Sequence, residues 1–334
     1  MISKLPTRIT TTTKVLAWAT LISNIGIIVT GGAVRLTASG LGCPEWPRCT
    51  AESWVNTPEM GLHGVIEFGN RLLTYVLIAI SVAMFLAVVR LARTHRPLVI
   101  CSLIIGFGIP LQGVIGGITV WTNLNPWVVG LHFILSAGLV MVATMLLHRI
   151  SLELKHQGST GQPLVDGERD AVTTGLTPII LLTGWAAVIL GTIVTGTGPH
   201  AGDPGSPRHA FSPEMVTRLH VVPVYILCAA AIVIVIRQRR LAASAAQRRA
   251  GWFLVAVIVF QGALGYWQHL TGLPILLVGL HMLGAALTIV ACIAVHDRYR
   301  ARYTTRGLSA ERPPTGSAGS SAGTEAAPTR SSPA

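Results

Sequence analysis

Four histidines stand in two copies of one arrangement. Gln112-Gly113-Val114 leads to Val129-Gly130-Leu131-His132, and Gln261-Gly262-Ala263 leads to Val278-Gly279-Leu280-His281, with 20 residues from glutamine to histidine each time. An echo precedes each copy: Pro58-Glu59-Met60 then Leu62-His63, and Pro213-Glu214-Met215 then Leu219-His220. All four imidazoles fall in apolar runs. An unpartnered imidazole in hydrocarbon is costly, so an ionisable residue there is first a functional hypothesis. The chemistry that suits them is axial ligation of a haem iron, with one neutral imidazole on each side of the macrocycle. Facing helices of a four-helix bundle project such side chains inward. The plainer reading has each histidine hydrogen-bonded to a neighbouring helix. For one histidine the plainer reading wins; for four in a twofold pattern, ligation does.

The elements that must carry them are membrane helices. Of 334 residues, 51% are hydrophobic and 11% charged, with a mean hydropathy of +0.60, a balance that excludes an ordinary soluble globule. Eight apolar runs reach the roughly 20 residues that a bilayer crossing needs. They lie near 16–34, 61–89, 98–118, 127–147, 176–195, 214–236, 251–269 and 275–296. The expected fold is an all-α membrane protein of eight transmembrane helices in two four-helix bundles. Each half has an even number of crossings, so the halves are parallel repeats. Thr30-Gly31 and Thr195-Gly196 close the first helix of each. The segments expected are an amino-terminal stretch 1–15, a first half 16–147, a linker 148–175, a second half 176–296 and a basic, disordered tail 297–334. At about 1.5 Å per residue, the four histidines sit some 5–10 Å below the outer surface.

The net charge of +12 does not indicate nucleic acid. Its arginines and lysines gather in alternate loops and at both termini, which the positive-inside rule reads as cytoplasmic termini in the cell membrane. His95, His148, His156 and His296 sit among them and serve topology. His200, His209 and His269 lack repeat partners and are weak candidates as ligands. Cys101, Cys228 and Cys292 lie in helices as small apolar filler. Cys43 and Cys49 lie in the first outer loop, where oxidation is permitted. No C-x-x-C pair occurs, which argues against zinc and iron–sulfur sites.

The second helix holds further chemistry. His63, Glu67 and Asn70 follow i, i+4, i+7 spacing and share one face, with Arg71 beside them. Glu67 could manage protons, or could simply pair with Arg71. The second half has Val224 and Cys228 in those places. An acid and a base in one half only suggest that this half reacts and that the other keeps a permanent cofactor. The first outer loop, Gly31-Gly32-Ala33-Val34-Arg35-Leu36-Thr37-Ala38-Ser39-Gly40 through Cys43-Pro44-Glu45-Trp46-Pro47-Arg48-Cys49, reads as a shaped cap. Arg35 there could meet a haem propionate or be an ordinary interfacial anchor.

That loop, Glu67-x-x-Asn70-Arg71 and the duplicated Gly-Leu-His helices resemble the haem A synthase family from about residue 15 to 300. The cysteine pair is similar to the form found in many Gram-positive bacteria. The resemblance implies oxidation of the C8 methyl of haem O to a formyl group, giving haem A for cytochrome oxidase. The implied route is successive hydroxylation with oxygen from water, then loss of water from a gem-diol. It implies that the first half binds the substrate haem and the second a haem b. By position, His132 matches a first-half ligand, His220 and His281 the second-half pair, Glu67 the catalytic glutamate, and Cys43 with Cys49 a pair that is redox-active or structural. The family's usual Glu-x-x-His-Arg is Glu67-Phe68-Gly69-Asn70-Arg71 here. The missing ligand is assigned to His63, which aligns with His220 in the internal repeat, the alternative being a five-coordinate substrate haem held by His132 alone; Asn70 and Arg71 become supporting residues. Implied partners are the farnesyltransferase that makes haem O and an electron acceptor of unspecified kind; oligomeric state stays open. The rival readings are a dihaem electron-transfer cytochrome and a haem or small-solute transporter.

Overall fold

The computed structural model describes residues 5–158 and 170–300, the last by its backbone alone. Eight helices follow in order: α1 Thr11–Leu36, α2 Gly61–Val88, α3 Arg96–Trp121, α4 Pro126–Gly158, α5 Ala171–Thr197, α6 Pro213–Arg240, α7 Ala245–Leu270 and α8 Ile275–Arg300. There is no strand among the described residues. Each helix is long and apolar enough to cross a bilayer, as expected, and the chain is a multi-pass membrane protein. Within a bilayer only internally bonded segments of this kind are stable.

Local signals set the helix starts. Thr10 with Thr13 forms a capping box on α1, and Asp170 with Thr173 forms the same device on α5. Ser212 and Ser244 cap α6 and α7. Each side chain satisfies backbone N–H groups that the first helical turn leaves bare.

In each half the helices touch in closed order. α1 meets α2, α2 meets α3, α3 meets α4, and α4 returns to α1; α5 to α8 do the same. Across the halves, α4 lies against α5 and α8, and α1 against α8. The first half's buried cluster includes Leu21, Met84, Ile105, Val140 and Leu146. The second half's includes Ile180, Leu227, Ile234, Leu254 and Val295. A third cluster, Ala137, Val188 and Ile289, joins the halves. Both main clusters sit toward the arginine-rich helix ends, and the four histidines stand toward the opposite ends.

Glycine decides how closely the halves approach. A Cβ at Gly130 would lie 3.3 Å from the Thr192 hydroxyl of α5, and one at Gly279 would lie 3.4 Å from Leu36 of α1. These are the glycines of the two Gly-Leu-His motifs. Small residues at such crossings let membrane helices pack backbone to side chain.

The expected linker at 148–175 is shorter in the structure. α4 continues through His148 to Gly158, and α5 begins at Ala171. Polar residues end the apolar run, yet Leu154 still packs on the first cluster and Glu153 meets His95 at 3.5 Å, so the helix persists. The rest of the linker, 159–169, and the tail beyond 300 lie outside the described residues.

Candidate functional site

The α3–α4 and α7–α8 hairpins repeat in atomic detail. Gln112 Nε2 donates to the His132 carbonyl at 3.1 Å, and Gln261 Nε2 donates to the His281 carbonyl at 3.1 Å. Both turns pass through a left-handed leucine, Leu124 at φ 58° and Leu273 at φ 63°. Their N–H groups bond Thr119 and Gln268 carbonyls at 2.7 and 2.8 Å. Gly116 and Gly265 lie beside the rings: a Cβ at either would sit 3.6 or 3.5 Å from the imidazole Cε1. Nδ1 of His132 and of His281 is buried without a hydrogen-bond partner among the described residues. Buried polar atoms are rarely left so, and the same atom is left so twice.

His220 completes the second pair. Its Nδ1 lies 2.9 Å from the Ala187 carbonyl. A carbonyl only accepts, so Nδ1 carries the hydrogen and Nε2 keeps its lone pair. That is the arrangement of a metal-binding imidazole oriented by a backbone acceptor. The rings of His220 and His281 are 6.4 Å apart between centroids. Two metal–nitrogen bonds of about 2 Å and half of each ring give a spacing of roughly 6 Å. The pair therefore fits a haem iron. The described residues hold no group of three His, Cys, Asp or Glu suited to a metal ion, and a haem needs only two protein ligands.

His63 is placed differently. Its Nδ1 lies 2.8 Å from the Ser39 hydroxyl, and a Cβ at Gly42 would collide with its main-chain carbonyl. The residue is thus seated against the loop between α1 and α2. It makes no ring contact with His132 comparable to that of His220 with His281. Counted from Pro58 and Pro213, His63 is two residues nearer its helix start than His220, about 3 Å along the axis.

Glu67 is 6% exposed and both its oxygens are engaged. Arg71 Nη2 donates to Oε1 at 2.6 Å, and the Cys43 N–H donates to Oε2 at 2.5 Å. The same guanidinium reaches the Cys43 and Arg48 carbonyls at 3.1 and 3.0 Å. The acid and base do pair, and the pair also grips the loop. Charge-assisted bonds of this kind are about twice as strong as neutral ones. Cys43 and Cys49 form a disulfide, and both are fully buried. Asn70 Oδ1 accepts from the Thr30 hydroxyl at 2.7 Å, which ties α2 to α1.

Residues 14–202 match the COX15-CtaA family, described as cytochrome oxidase assembly proteins. The chain belongs to this family. The match takes in the whole first half, with Glu67 and the disulfide loop, and extends through α5. Among curated relatives, the heme A synthase of Bacillus cereus (strain G9842) is 31% identical over 141 residues, 41% of this chain and 44% of the relative. That of Bacillus pumilus (strain SAFR-032) is 35% identical over 127 residues, 36% and 39% respectively. That of Geobacillus kaustophilus (strain HTA426) is 26% identical over 215 residues, 62% and 63%. The matched stretches thus span about two-fifths of the first two relatives' length.

Other sequence candidates of this family member have contacts of their own. Arg35, read as a possible propionate partner, donates from Nε to the His200 carbonyl at 2.7 Å and from Nη2 to the Thr195 carbonyl at 2.9 Å. It binds α1 to the second half's first helix and the loop beyond. His209 meets Trp127 edge to face with ring centroids 4.3 Å apart; burial, then the Arg35 guanidinium, lowers its pKa. His148 meets Asp297 at 3.2 Å. Cys101 and Cys292 are buried and unbridged. Sequence reading missed Ser39 and Ala187, the acceptors or donors that orient His63 and His220. Neither has a spacing signal, because each contact crosses between elements. It also missed the part played by Gln112 and Gln261, although their recurrence marked the repeat.

Proposed function

We propose that the protein is a haem A synthase. It oxidises the C8 methyl of haem O to a formyl group, and the haem A formed serves cytochrome oxidase assembly. One observation carries the reading beyond family membership: a buried carboxylate, Glu67, is held at the histidine-bearing end of one half and has no counterpart in the other. A dihaem electron carrier would need no such asymmetry.

The first half binds haem O, with His132 and His63 as its iron ligands. Ser39 orients the His63 ring, as Ala187 orients that of His220. His220 and His281 would hold a haem b, which would supply one-electron redox capacity when bound. Each oxidation of the substrate carbon removes two electrons and two protons. Water adds its oxygen at the first step, giving the alcohol; a second water gives the gem-diol, which loses water to the aldehyde. Glu67 is the group beside the substrate that can take those protons. Arg71 holds Oε1 and the Cys43 amide holds Oε2, so the carboxylate stays aimed until the substrate arrives. The electrons pass to an acceptor of unspecified kind. Both termini are cytoplasmic, and haem O arrives from the farnesyltransferase through the plasma membrane.

The test is Glu67→Gln. Glutamine keeps the shape and removes the base. Haem O should still bind, while haem A output falls about a hundredfold or more. Normal haem A output from this variant would sink the assignment. His63→Ala should change the absorption spectrum of bound haem O; an unchanged spectrum and product yield would remove His63 from the ligand set. Haems extracted from purified protein and weighed by mass spectrometry separate the readings: haem A or its hydroxylated precursor marks the enzyme, haem b alone the carrier.

A further inference from the structure

One position breaks the repeat where it matters. Gly117 and Tyr266 hold the same register, five residues after Gln112 and Gln261. Each follows the glycine that lies beside the histidine ring. On α7, Tyr266 reaches across to α6, and its hydroxyl lies 3.0 Å from that of Tyr225. On α3, Gly117 is buried, and a Cβ there would run into the Trp46 indole. Trp46 comes from the disulfide loop. Its carbonyl accepts from Trp121 Nε1 at 3.1 Å, and the two indoles meet edge to face with centroids 5.3 Å apart.

The loop therefore straddles α2 and α3. Arg71 of α2 holds the Cys43 and Arg48 carbonyls, while α3 seats the indole between them in sequence. In the second half the same span, α6 to α7, is joined by two side chains fixed on the helices themselves. Tyr225 and Tyr266 are exposed on the apolar surface, as is Trp121, so both spans face lipid. A loop can lift from a helix without unfolding it; a tyrosine pair opens only if helices part.

We propose that Trp46 is the specificity-determining residue of the first half: haem O passes between α2 and α3 beneath it, and the seated indole then packs on the prenyl chain. This rests on the reading above, in which the first half takes a substrate and the second a resident haem. A resident group needs no exit, whereas substrate and product must exchange once per turnover. A porphyrin with a long isoprenoid chain travels in lipid, so its route opens to lipid. Its chain is what separates haem O from haem B, and an indole offers the apolar area to recognise it.

The experiment uses the full-length protein with its second-half haem in place, and haem O and haem B as probes. Binding and release at the first half are followed by stopped-flow absorbance. Trp46→Ala should release haem O at least ten times faster and lose most of the preference for haem O over haem B; Trp46→Phe should keep most of both. Gly117→Ala displaces the indole without deleting it and should shift both quantities the same way. Parent rates and parent preference in both Trp46→Ala and Gly117→Ala overturn the inference. If the parent makes no haem A, yet these variants change haem O exchange, the assigned reaction falls and the role of Trp46 stands.

Discussion

In the α3–α4 and α7–α8 hairpins the same glutamine bonds the same histidine carbonyl, through the same left-handed turn and beside the same glycine. What covers them differs. Over the second half, His220 faces His281 and a tyrosine pair joins α6 to α7. Over the first half, a disulfide loop rests on Glu67, Arg71 and Gly117, and His63 is drawn to Ser39. The two halves thus share one hairpin platform and differ at a few cross-helix positions around it. The lesson is that the shared geometry speaks of the ligand, and the unshared geometry of what happens to it.

The largest expected effect breaks the two platforms one at a time. His281→Ala should cut the resident haem content roughly tenfold or more, since even outer-shell losses around metal-binding histidines cost 10–100-fold in affinity. It should leave haem O binding at the first half within about twofold of the parent. His132→Ala should do the reverse. Pyridine haemochrome assay of purified protein, with and without added haem O, reads both. Equal loss of both pigments from either variant would mean that the halves do not bind independently.

Much of this was legible from residues alone. Eight helices, the twofold pattern and the cysteine pair follow from hydropathy, recurrence and loop composition, which are periodic or local signals. The pairing of Glu67 with Arg71 follows from i, i+4 spacing. The seating of Arg35 between halves was not legible, because its acceptors are backbone carbonyls 160 and 165 residues away. No side-chain pattern announces a carbonyl. The contact of Trp46 with Gly117 was hidden for a related reason: a loop indole and a helix glycine have no common period. The over-length α4 was missed because polar residues end an apolar run without ending a helix.

An intermediate effect sharpens the comparison at the loop. Reducing Cys43–Cys49, or making Cys43→Ser with Cys49→Ser, loosens the segment that presents the Cys43 amide to Glu67. Turnover should fall on the order of tenfold, about 1.4 kcal/mol in barrier, while the second half keeps its haem spectrum. The conserved serine sizes make gross misfolding a separate, visible outcome: it would bleach the second half too. A reduced protein with parent turnover would mean that Arg71 alone positions the loop.

The smallest expected effect tests the equality of the platforms. Gln112→Leu and Gln261→Leu each remove one amide–carbonyl hydrogen bond and fill the same space with an apolar side chain. Such a bond is worth about 1 kcal/mol net. Gln112 also donates to the Ser136 hydroxyl at 2.9 Å, whereas Ala285 takes the place of Ser136 in the second hairpin. The first-half variant should therefore lose slightly more: about fivefold in haem O affinity against threefold or so in resident haem affinity. Absorbance titration of each site in its own variant measures both. If the order is reversed, the extra serine contact does not steady His132, and the two hairpins are equivalent in geometry but not in strength.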